Sequence, residues 1–492
     1  MVTKIALVLI FFAVLIGVGI YSRKSTSNTN AFVLGGRNVG PWLTAFAYGT
    51  SYFSAVVFVG YAGQFGWKYG MSSTWIGIGN AVIGSLIAWL VLARRTRVMT
   101  HHLDVVTMPS YFEKRYDSKA LKIAASAIVF IFLIPYTASV YKGLSTLFEM
   151  AFNIPYEYCV IAMAVLTAVY VIVGGYMATA INDFIQGCIM LVGIVLIILA
   201  VLNSQGGLAE ATAKMAAVVD ENGNGGFATI FGPDHLGLLG VVILTSLGTW
   251  GLPQMVHKFY AIKDEKAVKT GTIISTLFAL IVSGGCYFLG GFGRLFDDTA
   301  IYDAAGNVAY DSIVPHILET SLGNVLIAVV IMLVLSASMS TLSSLVLTSS
   351  STLTIDLLKD NIIKKMSEKK EVLIMRILIV FFIVISVVIA LNPPDFIAQL
   401  MGISWGALAG AFLAPFMYGL YWKGVTKLSV WICFIYGIVL TVSNIYLKFI
   451  ASPINAGAIA MIGGLILVPI VSLVTPKFES AFTDKVFECY KK

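Results

Sequence analysis

Thirteen times along this chain a run of about 20 mostly apolar residues separates shorter polar stretches, and about 20 residues of helix are what a hydrocarbon layer requires. The runs lie near 4–22, 41–64, 73–93, 121–148, 158–176, 184–203, 238–256, 270–293, 323–353, 372–391, 396–421, 426–447 and 457–475. Lipid offers no partner to an unpaired backbone group, so a spanning segment is either a helix or part of a closed barrel. No run shows the short alternation of a barrel strand, which leaves an all-α integral membrane protein of thirteen transmembrane helices. Composition agrees, because 58% of the 492 residues are apolar and 12% are charged, too few charges to coat a soluble particle of that size. Most enzymes and nucleic-acid binders are excluded on that ground. Cysteines 159, 188, 286, 433 and 489 show no CxxC or Cys/His spacing, so neither a disulfide framework nor a zinc site is expected.

The basic residues fix a direction. With the amino terminus outside, the connections 23–40, 94–120, 177–183, 257–269, 354–371, 422–425 and 476–492 face the cytoplasm. Of the 32 Lys and Arg, only Lys4, Lys68, Lys142, Lys214, Arg294 and Lys448 then fall outside or in the outer half of a span, so the carboxyl terminus is expected inside. The stretches 204–237 and 294–322 are rich in Gly, Asp and Asn and read as ordinary external loops. Residues 4–20 have the apolar core of a signal peptide, but Arg23 and Lys24 follow in place of a small-residue cleavage site, and an uncleaved first helix is expected.

Polar groups inside spans are costly, so the residues that interrupt the apolar pattern carry the information. The second span gathers Gly49, Thr50, Ser51 and Ser54 at its middle, and the seventh places Gly248, Gly251 and Pro253 around Trp250. Such clusters serve either close helix packing or an unwound backbone that lines a cavity. Two interrupted spans in matching places point to an inverted-repeat transporter, and spans two to six and seven to eleven are two odd-numbered sets that run in opposite directions. In the ninth span Ala337, Ser340, Thr341, Ser344 and Thr348 recur at helical spacing, giving one face of neutral oxygens suited to a hard cation such as Na⁺. Asp183, at the start of the sixth span, either caps a helix or balances the charge of a cation held against that face.

These motifs resemble the sodium:solute symporter family, which includes bacterial proline, pantothenate and sialic acid carriers. The resemblance rests on AFVLGGRNVGPW after the first span, GTSYFSA in the second, VGGYMATAINDFIQ, SMSTLSS in the ninth and MGISWGALAGAFLAP in the eleventh, in the family's order. It implies a LeuT-like core of ten helices in an inverted five-plus-five repeat, with one helix before it and two after. The corresponding organisation is a first helix and cytoplasmic loop at 1–40, a first repeat at 41–203, an external loop at 204–237, a second repeat at 238–421, and two peripheral helices with a tail at 422–492. By that resemblance the sodium-binding groups are the carbonyls of Thr50, Phe53 and Ala337 and the hydroxyls of Ser340 and Thr341. A second sodium takes Asp183, Ser340, Ser343 and Ser344. Solute contacts fall on Ser54, Gln64, Tyr136, Thr249, Trp250 and Trp405. The chain departs from the proline carriers in the seventh span, where Thr245 and Thr249 replace a Trp and a Tyr. Lys142 either snorkels to the interface or faces the cavity, where it favours an anionic solute.

The function expected is sodium-coupled import of a small organic solute, an amino acid, sugar or carboxylate, through the cell (inner) membrane by alternating access. The partners are the solute and the lipid bilayer. Rival classes are a proton-coupled carrier of the same fold, with Asp183 or Lys142 titrating, a channel, and a transporter-like membrane sensor. The residues leave the solute and the oligomeric state open.

Overall fold

The computed structural model describes residues 2–22, 28–220, 223–359, 362–363, 366–392 and 397–491, and among them the chain is helical with no β-sheet. Helix α1 spans Val2–Ser22 and packs on the sixth helix in the order below. Helix α2, Pro41–Tyr52, begins with Pro at its first turn, where a missing N–H costs nothing. It ends because Phe53 turns extended (φ −110°, ψ 105°). Ser54 then starts the next helix: its Oγ accepts from Val56 N–H at 3.2 Å, and its carbonyl from Val57 and Phe58 at 3.0 and 3.1 Å. That helix, α3, runs Val56–His102 with a 3₁₀ turn at Gly70–Ser73 dividing it into two limbs. Helix α4 is Met108–Tyr116, α5 is Lys119–Phe152, and α6 is Tyr156–Ser204, kinked at Gly175 (φ 57°, ψ −158°), a conformation that only glycine adopts readily.

The second half repeats the break. Helix α7 is Leu208–Ala216, and α8, His235–Gly251, gives way to α9, Pro253–Ala261, through a bend of 46°. The cause is local: Pro253 pushes the preceding Leu252 out of the helical region (φ −81°, ψ 121°). Helices α10 (Glu265–Gly290), α11 (Tyr310–Ser321), α12 (Asn324–Thr352, continued as a π-helix over Leu353–Leu358) and α13 (Glu368–Leu391) follow. After them come α14 (Ile397–Tyr421), α15 (Lys427–Leu447), α16 (Pro453–Val474) and α17 (Ser480–Phe487).

Among the described residues nine helices are long and apolar enough to cross a membrane, ten if α8 and α9 form one span, and Ala6–Ser22 and Tyr156–Val169 are shorter apolar helices. The span list differs because 41–64 and 73–93 are divided by the break after Tyr52 and by the 3₁₀ turn, not by a polar loop. Helix α12 lies at the centre, against α5 and α6, and α14 packs on α5, α8, α15 and α16. Along α14 small residues bring backbones together: a Cβ on Gly406 would stand 2.8 Å from the Gly457 Cα, and one on Gly437 2.5 Å from the Gly410 carbonyl carbon.

Three sequence expectations are corrected. The cytoplasmic connection 257–269 begins too early, because α9 continues to Ala261 and buries Lys258 at 2% exposure. Residues 177–183 are not a connection either, since one glycine makes the turn and helix resumes at once. Asp183 therefore lies about two turns past the kink and caps nothing. The stretches 204–237 and 294–322 contain helices, α7 and α11, and are not plain loops. Arg23, Lys24, Lys364, Lys365, Lys492 and the proposed start of the eleventh span at 396 lie outside the described residues.

Candidate ion and solute site

Where α2 stops, its last carbonyls have no next turn to accept from, and α12 brings its hydroxyl face to them. Ser340 Oγ donates to the Thr50 and Ala337 carbonyls, both at 3.1 Å. Thr341 Oγ1 stands 3.4 Å from the Thr50 carbonyl and 3.0 Å from that of Ala337. Four neutral oxygens from two helices thus converge in a fully buried place, and the extended Phe53 beside them takes its own carbonyl off the helical ladder. Neutral oxygens are the donors a hard monovalent cation takes, so this cluster fits Na⁺.

About one turn further along α12 the chemistry changes. Ser343 Oγ donates to the Ser340 carbonyl at 2.8 Å, within its own helix. Ser344 Oγ meets Ser51 Oγ at 2.8 Å and accepts from Lys258 Nζ at 2.9 Å. The same ammonium lies 3.8 Å from Asp183 Oδ2 and 5.3 Å from the centre of the Tyr176 ring, which the Gly175 kink positions. Lys258 and Asp183 are both buried. Sequence reasoning passes over Lys258 because the expected connection 257–269 makes it one of the first charges of a loop. The signal available was its setting between Met255, Val256, Phe259 and Tyr260, a helix that is apolar on more than one face.

The solute candidates divide into two groups. Tyr136 stands edge-on to Trp405 (5.9 Å between ring centres), and Trp405 stacks on Tyr52 (6.0 Å). The Tyr136 hydroxyl lies beside Ser54 and Trp405 without completing a hydrogen bond. Gln64 Oε1, Trp405 Nε1 and the Tyr61 hydroxyl are likewise buried with no hydrogen-bond partner. Buried polar atoms are normally paired with protein, water or ligand, and a polar solute is one partner these atoms can take. Thr249 and Trp250, in contrast, have their donors engaged by backbone, Thr249 between the Ser246 carbonyl of its own helix at 3.0 Å and the Gly84 carbonyl of α3 at 3.1 Å, and Trp250 on that of Ile83 at 3.1 Å. Tyr52, which closes across to the Thr245 carbonyl, and Tyr48, which donates to Gly84 at 2.7 Å, tie the first break to α8 and α3 and were not anticipated.

Lys142 is not beside these rings. Its ammonium pairs with Asp311 of α11 at 2.9 Å, on the wall of a cavity of about 750 Å³ lined also by Asp303, Asn307 and Tyr310. Asp311 also accepts from Ile397 N–H at 3.3 Å, joining α11 to the start of α14. The neighbouring Asp303 carboxyl is held below its usual range by N–H groups, that of Asn307 first, so it stays ionised at the mouth. A further cavity of about 570 Å³ opens among Ser110, Glu113, Lys122, Lys359 and Glu371, where α4, α5 and the π end of α12 meet.

A family model described as the sodium:solute symporter family matches residues 32–437. The sodium/proline symporters of Staphylococcus aureus strains JH9 and USA300 are each 31% identical over 440 residues, covering 86% of this chain and 81% of theirs. A solved Na⁺-coupled sialic acid symporter, in a substrate-bound outward-open state, superposes with a TM-score of 0.80 at 18% identity, covering 97% of this chain and 98% of that one. Mhp1, a nucleobase-cation-symport-1 family transporter in a closed conformation, superposes at 0.53 with 13% identity over 94% of this chain and 98% of its own. The fold is that of the LeuT-type transporters.

Proposed function

We propose that this chain, which belongs to the sodium:solute symporter family, binds its driving Na⁺ at Thr50, Phe53, Ala337, Ser340 and Thr341 and carries a net-neutral solute beside it. The protein is a multi-pass membrane transporter that moves a small solute with sodium, and family and fold carry that much. The observation behind the ion site is the convergence of Ser340 and Thr341 on the Thr50 carbonyl at the end of α2. Without the ion, each hydroxyl gives its proton to a carbonyl. With it, the hydroxyls turn lone pairs inward and the carbonyls transfer to the cation, so Na⁺ tightens α2 onto α12. The solute pocket next to Ser54 depends on where α2 ends, so ion and solute strengthen each other's binding.

The solute lies against Ser54, Tyr136 and Trp405, with Gln64 and Tyr61 supplying further polar atoms and Thr249 and Trp250 holding the wall. None of these side chains is charged, and Lys142 is engaged by Asp311 at the outer mouth. A zwitterionic amino acid or a sugar therefore suits the pocket better than an anion. The named proline carriers make proline the first solute to try, and the threonines at 245 and 249 are the reason to try others. The amino terminus is proposed outside, with the cavity among Ser110, Glu113 and Glu371 as the route to the cytoplasm. The two repeats are proposed at 41–203 and 238–421.

One Na⁺ crossing about 100 mV releases about 2.3 kcal/mol, while tenfold accumulation costs about 1.4 kcal/mol, so one ion sustains roughly fortyfold concentration of a neutral solute from the potential alone. The test is uptake by proteoliposomes under an imposed Na⁺ gradient, screened over amino acids, sugars and carboxylates. Accumulation is expected to vanish when choline replaces Na⁺. Accumulation that survives the replacement, or that follows a proton gradient, overturns the proposal.

A further inference from the structure

Of the four groups that a second Na⁺ would use, Ser344 and Asp183 already face a cation, the Lys258 ammonium. Ser340 serves the first cluster, and Ser343 bonds the Ser340 carbonyl. The ammonium touches Ser344 Oγ at 2.9 Å, lies 3.8 Å from Asp183 Oδ2, and rests over the Tyr176 ring. A sodium ion bound by Asp183 and Ser344 would share their oxygens with this ammonium. Two unit charges about 4 Å apart at an effective dielectric near 20 repel enough to cut a binding constant about a thousandfold. It would also leave one uncompensated positive charge in a buried place, where the present pair is neutral.

We propose that the Lys258 ammonium is this protein's built-in second cation: it occupies the place between Asp183 and Ser344, limits the carrier to one Na⁺ per cycle, and holds α9 to α6 and α12 throughout that cycle. The proposal rests on the symport assignment above. It makes Lys258 a positioning residue whose charge substitutes for an ion, which differs from a merely structural lysine in a countable way. Remove the charge, and an anionic carboxylate with a hydroxyl beside it is left open to Na⁺. Remove the carboxylate as well, and the attraction is gone.

The experiment counts ²²Na⁺ bound at saturation by the purified full chain in lipid nanodiscs, with no solute added. The wild type is expected to bind one Na⁺ per chain with a hyperbolic isotherm. Lys258→Met is expected to bind two, with a sigmoidal or biphasic isotherm, and the double variant Lys258→Met, Asp183→Asn to return to one. Two Na⁺ per wild-type chain overturns the proposal alone, as does a folded Lys258→Met protein that still binds one. Should Lys258→Met fail to fold, the wild-type count still decides, one supporting and two refuting. Wild-type protein that binds no Na⁺ overturns the symport assignment together with the proposal. If the single wild-type ion is retained undiminished in Ser340→Ala and Thr341→Ala, the ion is not at the first cluster and both fall.

Discussion

Two neighbouring stretches of α12 meet the rest of the protein in opposite ways. Around Ser340 and Thr341 four neutral oxygens stand together without a formal charge, whereas around Ser344 a lysine and an aspartate neutralise each other. Both are buried. The first suits the exchange of a cation proposed for it, because no charge of its own opposes arrival or departure. The second can do neither without breaking a pair that desolvation makes hard to separate. The contrast teaches that neutral dipoles suit a partner that must be exchanged, while a matched buried charge pair suits a contact that stays.

The largest expected effect probes the charged stretch. In choline medium, Lys258→Met and Asp183→Asn each leave one buried charge alone and are expected to lose about 3–5 kcal/mol of stability, read as thermal unfolding in detergent. Adding Na⁺ should restore Lys258→Met but not Asp183→Asn, and an equal response of the two would erase the distinction drawn here. Next comes the neutral stretch: Ser340→Ala or Thr341→Ala should raise the Na⁺ concentration for half-maximal uptake more than tenfold, a loss above about 1.4 kcal/mol, with little change in unfolding temperature. Unchanged Na⁺ dependence in both would remove the ion from this place. Smaller still, Tyr52→Phe deletes the bond to the Thr245 carbonyl and should cost about 0.5–1.5 kcal/mol in unfolding measurements, with the Na⁺ requirement shifted by less than about threefold. The smallest belongs to the half-exposed pair at the mouth. A double-mutant cycle of Lys142→Gln and Asp311→Asn should give a coupling of about 0.2–1 kcal/mol that shrinks as salt is added.

What the sequence disclosed follows from how far each cause reaches along the chain. Pro253 acts on the residue before it, so the second break was readable from a few letters. The hydroxyl face of α12 was readable because helical spacing alone lines up Ser340, Thr341 and Ser344. Lys258 was misplaced because its burial depends on Asp183 in another helix, and a lone basic residue after an apolar run is usually where a span ends. The roles of Thr249 and Trp250 were obscured by the π-helical turns of Asn80–Ile87, which set the Ile83 and Gly84 carbonyls where those side chains reach them. Lys142 left two choices open, and the partner that occupies it sits in a stretch whose composition suggested a plain loop.

The glycine contacts along α14 have a mechanical consequence. Gly406 against Gly457 and Gly410 against Gly437 leave no side chains between the backbones to slide or deform, so α14, α15 and α16 are expected to move as one stiff body. The outward-facing surface of those two helices, where Ile435, Val439 and Ile466 are exposed, can therefore carry a fluorophore far from the cargo. Its displacement against a second dye on α1 on adding Na⁺ and solute would test whether this body moves during transport.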